Sequence, residues 1–217
     1  MKTVNLGLID YDKSYEIQQS TVDDIISGKS GDILIFVEHP PTITLGRNTK
    51  PGNVLVSESA LAGKSVKVYT INRGGDVTIH CPGQLVIYPI MNLKNTKCDL
   101  HWYLRVLEQV IIDLLSEYGI TAGRNKGYTG VWAGNKKIAS IGVGVRNWVA
   151  FHGVGFNINP DLKYFSLINP CGMEAGVMTS MAEILNKPVD KQEICGKIER
   201  IFGRNYYNIT TDKHRFL

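Results

Sequence analysis

The sequence has few of the features that mark secreted, membrane-spanning or metal-binding chains. Its four cysteines, at positions 81, 98, 171 and 195, form no Cys-x-x-Cys pair, so neither a zinc site nor a disulfide framework is indicated. The five histidines show no ligand spacing such as His-x-x-x-His, so no metal is expected. No apolar run approaches the roughly 20 residues that cross a bilayer, and no apolar block of signal-peptide length precedes the charged residues Asp10, Asp12 and Lys13. A cytoplasmic protein with free thiols is expected.

Charge is also too evenly balanced to indicate nucleic-acid binding. The 24 basic and 20 acidic residues leave a net charge of +4, and the sequence has no long Lys/Arg run. This small positive charge is compatible with an acidic protein partner. The chain has neither a Gly-x-x-x-x-Gly-Lys-Ser/Thr phosphate loop nor a Gly-x-Gly-x-x-Gly turn, so nucleotide binding has no direct support. With 217 residues, 43% of them hydrophobic, one α/β or α+β domain spanning residues 1–217 is expected.

Hydrophobic periodicity predicts helices and strands in mixed order. Helices are predicted at 14–27, 99–118, 179–185 and 190–202, with Asp99 as the N-cap of the second. Strands are predicted at 32–37, 65–72 and 85–90, and a three-stranded antiparallel meander at 128–132, 137–145 and 148–158. For residues 204–217, a strand or extended segment through Tyr206, Tyr207 and Ile209 is expected.

A glycine-rich loop, residues 73–84, connects two of the predicted strands. Its glycines allow close backbone approach, so its N–H groups could face a ligand while His80 and Gln84 supply side-chain hydrogen bonds. The glycine count alone is equally compatible with a tight turn between strands.

Cys171 and Lys137 are the residues best suited to covalent chemistry. Cys171 lies on a turn between Pro170 and Gly172, where the following N–H groups could face a developing oxyanion. Lys137 begins a strand whose other residues are apolar or small. A desolvated lysine can supply both the cation and the base that a thiol needs before it attacks a thioester. Together the two residues suggest an acyl-transfer enzyme.

Each of these residues also has a simpler explanation. A free cysteine is more often a small buried side chain, and Lys137 could reach solvent from an edge strand. Cys81, inside the glycine-rich loop, is a rival thiol. His80 or His152 could replace the lysine as the base for Cys171, because histidine is the commoner partner of a reactive thiol.

Five ordered blocks between residue 32 and about residue 185 resemble the lipoyl(octanoyl) transferase family. They are Glu38-His39-Pro40-Pro41 with Thr44-Leu45-Gly46-Arg47; Arg73-Gly74-Gly75 with Thr78, His80, Gly83, Gln84 and Tyr88; Lys137-Ile138-Ala139-Ser140-Ile141-Gly142; His152-Gly153 with Asn157-Ile158-Asn159; and Asn169-Pro170-Cys171-Gly172. The chain departs from the family's usual pattern at Asn72, Asp76, Cys81 and Gly155.

The resemblance implies an enzyme that moves an octanoyl group from octanoyl-acyl carrier protein to a specific lysine of a lipoyl domain, without ATP or another cofactor. The acceptors implied are the lipoyl domains of 2-oxoacid dehydrogenase E2 subunits and the glycine cleavage H protein. Cys171 would carry the acyl group as a thioester, and Lys137 would lower the thiol pKa and shuttle protons. The fold implied is a single α/β (α+β) domain of the biotin/lipoate protein ligase type, with a central mixed, largely antiparallel sheet flanked by helices.

The same resemblance implies which residues bind the substrate. The acyl pocket would be lined by Arg73, Gly74, Gly75, Asp76, Val77, Thr78, Ile79 and His80, by Ser140, Ile141 and Gly142, and by Gly153, Val154 and Gly155. His152 and Gln84 are secondary candidates.

Three other functions stay open. An ATP-dependent lipoate or biotin ligase on the same fold would use a lysine without an acylated cysteine. An amidotransferase would take its octanoyl group from another lipoyl domain, and a noncatalytic protein would only bind acyl carrier protein or lipoyl domains.

Overall fold

The computed structural model describes residues 1–170 and 175–207, and a seven-stranded mixed sheet forms its centre. The strands of this sheet are β1 (Lys2–Leu8), β2 (Ile33–Glu38), β6 (Gln84–Asn92), β7 (Gly123–Asn125), β8 (Tyr128–Ala133), β9 (Lys136–Arg146) and β10 (Val149–Asn157). Their spatial order is β1-β2-β6-β10-β9-β8-β7. The β1–β2 pair is parallel and every other pair is antiparallel, which confirms the predicted mixed, largely antiparallel sheet.

A smaller sheet of three strands carries the glycine-rich loop. It comprises β3 (Thr42–Leu45), β4 (Lys67–Thr70) and β5 (Thr78–His80), with β3 in the middle, parallel to β4 and antiparallel to β5. Residues 73–84 are therefore more than a turn, because β5 lies within them.

Helices cover both faces of the large sheet. The helices of the described ranges are α1 (Tyr11–Ile26), α2 (Glu58–Gly63), α3 (Leu100–Ser116), α4 (Met181–Leu185) and α5 (Lys191–Tyr207), of which α2 packs instead with the small sheet through Leu61. Val22 and Ile25 of α1 pack with Ile35 and Phe151 on one face. The apolar stripes of α3 and α5 pack against the other face in the largest hydrophobic cluster. No helix in the described ranges is long and apolar enough to cross a membrane.

The strongest periodic patterns predicted their elements well. The carboxylate of Asp99 accepts a hydrogen bond from the N–H of Trp102 at 3.0 Å, so Asp99 caps α3 as expected. The meander of β8, β9 and β10 is confirmed within two residues at each end. Its second turn lies at Asn147 and Trp148, whose φ values of 51° and 66° fit the positive-φ turns of hairpins.

The prediction of an extended segment through Tyr206 and Tyr207 is wrong, because α5 continues to Tyr207. The ring of Tyr206 stacks on that of Phe202, one helical turn earlier, with centroids 5.5 Å apart, and both side chains are buried. This packing extends the helix, and residues 208–217 lie outside the described ranges.

Candidate active site

A cavity of about 760 Å³ lies where β9, β10 and the glycine-rich loop meet. Most of the predicted pocket residues line it: Arg73, Gly74, Gly75, Asp76, Thr78 and His80; Ser140, Ile141 and Gly142; and Gly153, Val154 and Gly155, together with Lys137 and His152. Segments that are far apart in sequence therefore form one wall. The volume is in the range of small-molecule sites in proteins.

Val77 and Ile79 belong to the predicted set but pack elsewhere. Their side chains are buried in the cluster that includes Ile43, beneath the small sheet. Alternation along β5 explains the division, because Thr78 and His80 point to the opposite side from their neighbours. Val77 and Ile79 hold the loop in place, whereas Thr78 and His80 face the cavity.

A β-bulge turns Lys137 towards the cavity. Trp132 pairs with Lys137 and Val131 pairs with Ala139, which leaves Ile138 as an extra residue on β9. Both Ile138 and Ala139 are buried in the main core. Since the bulge breaks the simple alternation, Lys137 shares the cavity side with Ser140.

The Lys137 side chain is buried, with only 2% of the residue exposed. Its Nζ lies 5.8 Å from the ring centroid of Trp132. Its carbonyl accepts a hydrogen bond from the N–H of Thr179 at 3.0 Å, which attaches the chain after residue 175 to β9. The simpler explanation, an edge-strand lysine that reaches solvent, is therefore wrong. A buried amine next to a cavity is suited to proton transfer.

Cys171 lies outside the described residues, but the chain on either side of it is anchored near the cavity. The N–H of Asn169 donates to the carbonyl of Asn53 at 2.8 Å. The side-chain amide of Asn53 donates in turn to Asp76, a residue of the cavity wall, at 2.6 Å. On the other side, Met178 forms a bridge with Lys137.

The other three cysteines are free thiols and lie outside the cavity wall. Cys81 is fully buried, and burial raises its pKa to about 12. Cys195 is partly buried, and burial raises its pKa to about 11, whereas Cys98 is exposed. Cys81, the rival nucleophile, is thus held as a neutral thiol, the unreactive form.

A chain of buried amides fixes the protonation of His80. The side chain of Asn157 donates to the carbonyl of Thr179 at 3.0 Å and accepts from Gln84 Nε2 at 3.0 Å. Gln84 Nε2 also donates to the carbonyl of Ile79 at 3.2 Å, so Gln84 Oε1 is the acceptor for His80 Nδ1 at 2.7 Å. His80 therefore carries its proton on Nδ1. Burial, and then the neighbouring His39, lower its pKa to about 3 and keep it neutral.

His152 is also neutral and is held in an unusual backbone conformation. Its φ is +59°, and its N–H donates to Gln18 of α1 at 3.0 Å. Its Nε2 lies 3.0 Å from Asn72 Oδ1, and its ring stacks on Tyr15 with centroids 5.7 Å apart. Burial, followed by the charge of Arg73, lowers its pKa to about 3. Positive φ at a non-glycine residue is typical of functional sites.

Some cavity residues were not predicted from the sequence. Tyr11, from the first turn of α1, lines the cavity, and so do Leu100, Leu104 and Tyr128. Tyr11 begins a helix whose apolar positions are also needed for the core, so its pattern does not distinguish the two roles. Arg47, another wall residue, lies in a block that carried the family resemblance.

Comparison with known proteins gives the same family as the sequence blocks. The lipoyl protein ligase A/B catalytic domain matches residues 10–203. The octanoyltransferase of Thermoanaerobacter sp. (strain X514) is 41% identical over 216 residues, which cover 98% of this chain and 94% of that protein. The octanoyltransferase of Solibacter usitatus is 46% identical over 199 residues, 92% of this chain and 90% of that protein.

Among solved structures, the biotin protein ligase of Aquifex aeolicus aligns with a TM-score of 0.56 at 14% identity, covering 96% of this chain and 70% of that one. This similarity confirms the predicted biotin/lipoate ligase-like fold. Because the family match spans most of the sequence and the octanoyltransferases are similar over nearly all of it, the chain belongs to the lipoyl protein ligase A/B catalytic domain family.

Proposed function

We propose that the chain is an octanoyltransferase of protein lipoylation. It takes the octanoyl group from octanoyl-acyl carrier protein and transfers it to a lysine of a lipoyl domain, such as those of 2-oxoacid dehydrogenase E2 subunits and the glycine cleavage H protein. Residues 1–217 act as one cytoplasmic catalytic domain, without a cofactor. The observation that carries the proposal is the buried Lys137 in the wall of a cavity lined by glycine-rich strands and the 73–80 loop.

The proposed reaction has two acyl transfers. In the first, Lys137 takes the proton of the Cys171 thiol, and the thiolate attacks the thioester carbonyl of the donor. The carrier-protein thiolate leaves and receives that proton from Lys137. In the second, the neutral amine of the lipoyl-domain lysine attacks the Cys171 thioester. An amide bond forms, the proton released by the amine passes through Lys137, and the Cys171 thiol is regenerated. No ATP is consumed, because the thioester already supplies the activation.

The described residues around the cavity support these roles. Lys137 is removed from water and lies in the cavity wall, where its amine can exchange a proton with a reacting group. The carbonyl of Lys137 holds the chain that follows Cys171, through Thr179. Burial lowers the pKa of both His80 and His152 to about 3, which makes each of them a weak base for a thiol. Lysine is therefore favoured over histidine as the partner of Cys171.

Glycines let the 73–84 loop pack closely against the strands of the cavity wall. A side-chain carbon at Gly142 would lie 2.8 Å from the carbonyl oxygen of Gly74, closer than such carbons approach other atoms. One at Gly155 would lie 3.1 Å from Gln84 Oε1 and 3.5 Å from His80 Cε1. Both glycines therefore let the loop lie directly on β9 and β10, and we propose that the acyl chain binds along the wall that the loop and the two strands form together.

The test is the mass of the intact protein after incubation with octanoyl-acyl carrier protein in the absence of ATP. Wild type should gain one octanoyl group that hydroxylamine removes. Cys171→Ser should lose the labile adduct, and the matched Cys81→Ser variant should keep it. An adduct lost only in Cys81→Ser would mean that Cys81, and not Cys171, carries the acyl group. No adduct on wild type, with transfer only from free octanoate and ATP, would indicate a ligase instead.

A further inference from the structure

The backbone of Gly130, on β8, leaves the space that the Lys137 side chain occupies. Gly130 pairs with Ser140, next to the bulge, and has a φ of +136°. A side-chain carbon at this position would lie 2.6 Å from Lys137 Cε and 2.5 Å from the carbonyl oxygen of Ala139. Any movement of Gly130 towards β9 would therefore push the lysine out of its place.

A buried carboxylate on α3 holds Gly130 in this position. Glu108 is completely buried, and its Oε1 accepts a hydrogen bond from the N–H of Gly130 at 3.1 Å. Its Oε2 accepts from Arg105 Nη1 at 2.6 Å and from Arg124 Nε at 2.8 Å. Both carboxylate oxygens are thus satisfied, as a buried charge requires. Residues 124–129, which lead to Gly130, are exposed, so the contact with α3 fixes a strand that begins at the surface.

We propose that Glu108 is a positioning residue for Lys137. It fixes the backbone of Gly130 where it pairs with β9, and so keeps open the space that the Lys137 side chain occupies. This inference rests on the proposed function for the effect on catalysis, but not for the effect on the lysine itself. Glu108 touches neither the cavity nor the reacting atoms, and it acts only through Gly130.

Two variants separate the hydrogen bond to Gly130 from the charge. Glu108→Gln keeps an oxygen for the Gly130 N–H, while Arg105 and Arg124 can turn to water because their side chains are already 45% and 30% exposed. Glu108→Leu fills a similar space but leaves the buried Gly130 N–H without an acceptor. The control is Asp113→Leu, which removes a carboxylate on the same helix that holds α5 through Arg204 and Asn205.

The first readout is the reactivity of Lys137 towards a water-soluble acylating reagent, measured by mass spectrometry relative to Lys136. Lys136 is the neighbouring residue, with its side chain 45% exposed, and serves as an internal reference. The second readout is kcat for octanoyl transfer. We expect Glu108→Leu to raise the labelling ratio at least about threefold and to lower kcat at least about tenfold with little change in KM, because a small displacement of a catalytic group is costly. Glu108→Gln should restore both values.

The outcomes distinguish the two proposals. An unchanged labelling ratio in Glu108→Leu would overturn the positioning role, whatever happens to transfer. The same rise in Asp113→Leu would also overturn it, since general loosening of α3 would then suffice. A raised ratio with undiminished transfer would support the positioning of Lys137 but overturn its catalytic role. A raised ratio and reduced kcat, both rescued by glutamine, would support both.

Discussion

Replacing Gln84 with leucine should cost the fold about 2–4 kcal/mol, because this side chain connects three buried groups. Gln84 is 2% exposed, donates to the carbonyl of Ile79 and to Asn157 Oδ1, and accepts from His80. His80 borders the cavity and can find water, but Ile79 and Asn157 would lose a donor inside the protein. Two unsatisfied buried acceptors at about 1–2 kcal/mol each give this total.

The assay is urea unfolding followed by fluorescence, with thermal unfolding as a second measurement. For a chain of this size, a loss of about 2–4 kcal/mol corresponds to a fall in Tm of about 5–15 °C. Gln109→Leu is a matched control, since that glutamine also makes two side-chain hydrogen bonds but is only partly buried on α3. A loss below about 1 kcal/mol for Gln84→Leu, or one equal to that of the control, would refute the reasoning.

Three further outcomes are expected. The free energy of unfolding should fall as the pH drops below about 6.5, because His80 and His152 stay neutral in the folded protein down to about pH 3 but bind protons when unfolded. Each histidine should cost about 2 kcal/mol by pH 5. In acid unfolding, a His152→Gln variant should lose stability less steeply with falling pH than wild type, whereas a variant at the exposed His101 serves as the control. Cys98 should react with a thiol reagent at neutral pH at once, and Cys81 only on unfolding, which peptide mapping would show; early labelling of Cys81 would contradict its burial. Tyr11→Phe should leave the free energy of unfolding unchanged or raise it, because the Tyr11 hydroxyl is buried without a hydrogen-bond partner among the described residues. A loss of stability above about 1 kcal/mol in urea unfolding would mean that the hydroxyl has such a partner.

The sequence allowed prediction of elements whose hydrophobic pattern is long and regular. The α3 stripe and the three meander strands were clear because they carry many buried residues, along one face of α3 and along the whole of β10. By contrast, β1 is largely exposed, and β7 has three residues and no buried side chain, so neither shows such a pattern. The strand β3 has only four residues after two prolines. Short or exposed strands depend on their neighbours for formation, and this information is not local.

The residues that line the cavity were predicted better than the directions in which the side chains point. Ordered sequence blocks indicated most of the cavity wall, but not that Val77 and Ile79 would face the core. Strict alternation from Ala139, a core residue, would have sent Lys137 in the wrong direction, because the bulge at Ile138 has no clear signal in the sequence. The part played by Glu108 could not be foreseen either, since its partner is a backbone N–H that is brought near by folding.

The extra residue on β9 also affects how related sequences should be aligned. Removing Ile138 would convert the bulge into regular pairing while Lys137 continued to alternate with Ala139, so the amine would keep its direction. A homologue with one residue fewer between this lysine and the serine would therefore still direct the amine into the cavity. An alignment that forbids a gap here would pair the lysine of a shorter homologue with a core position and would wrongly score that protein as inactive.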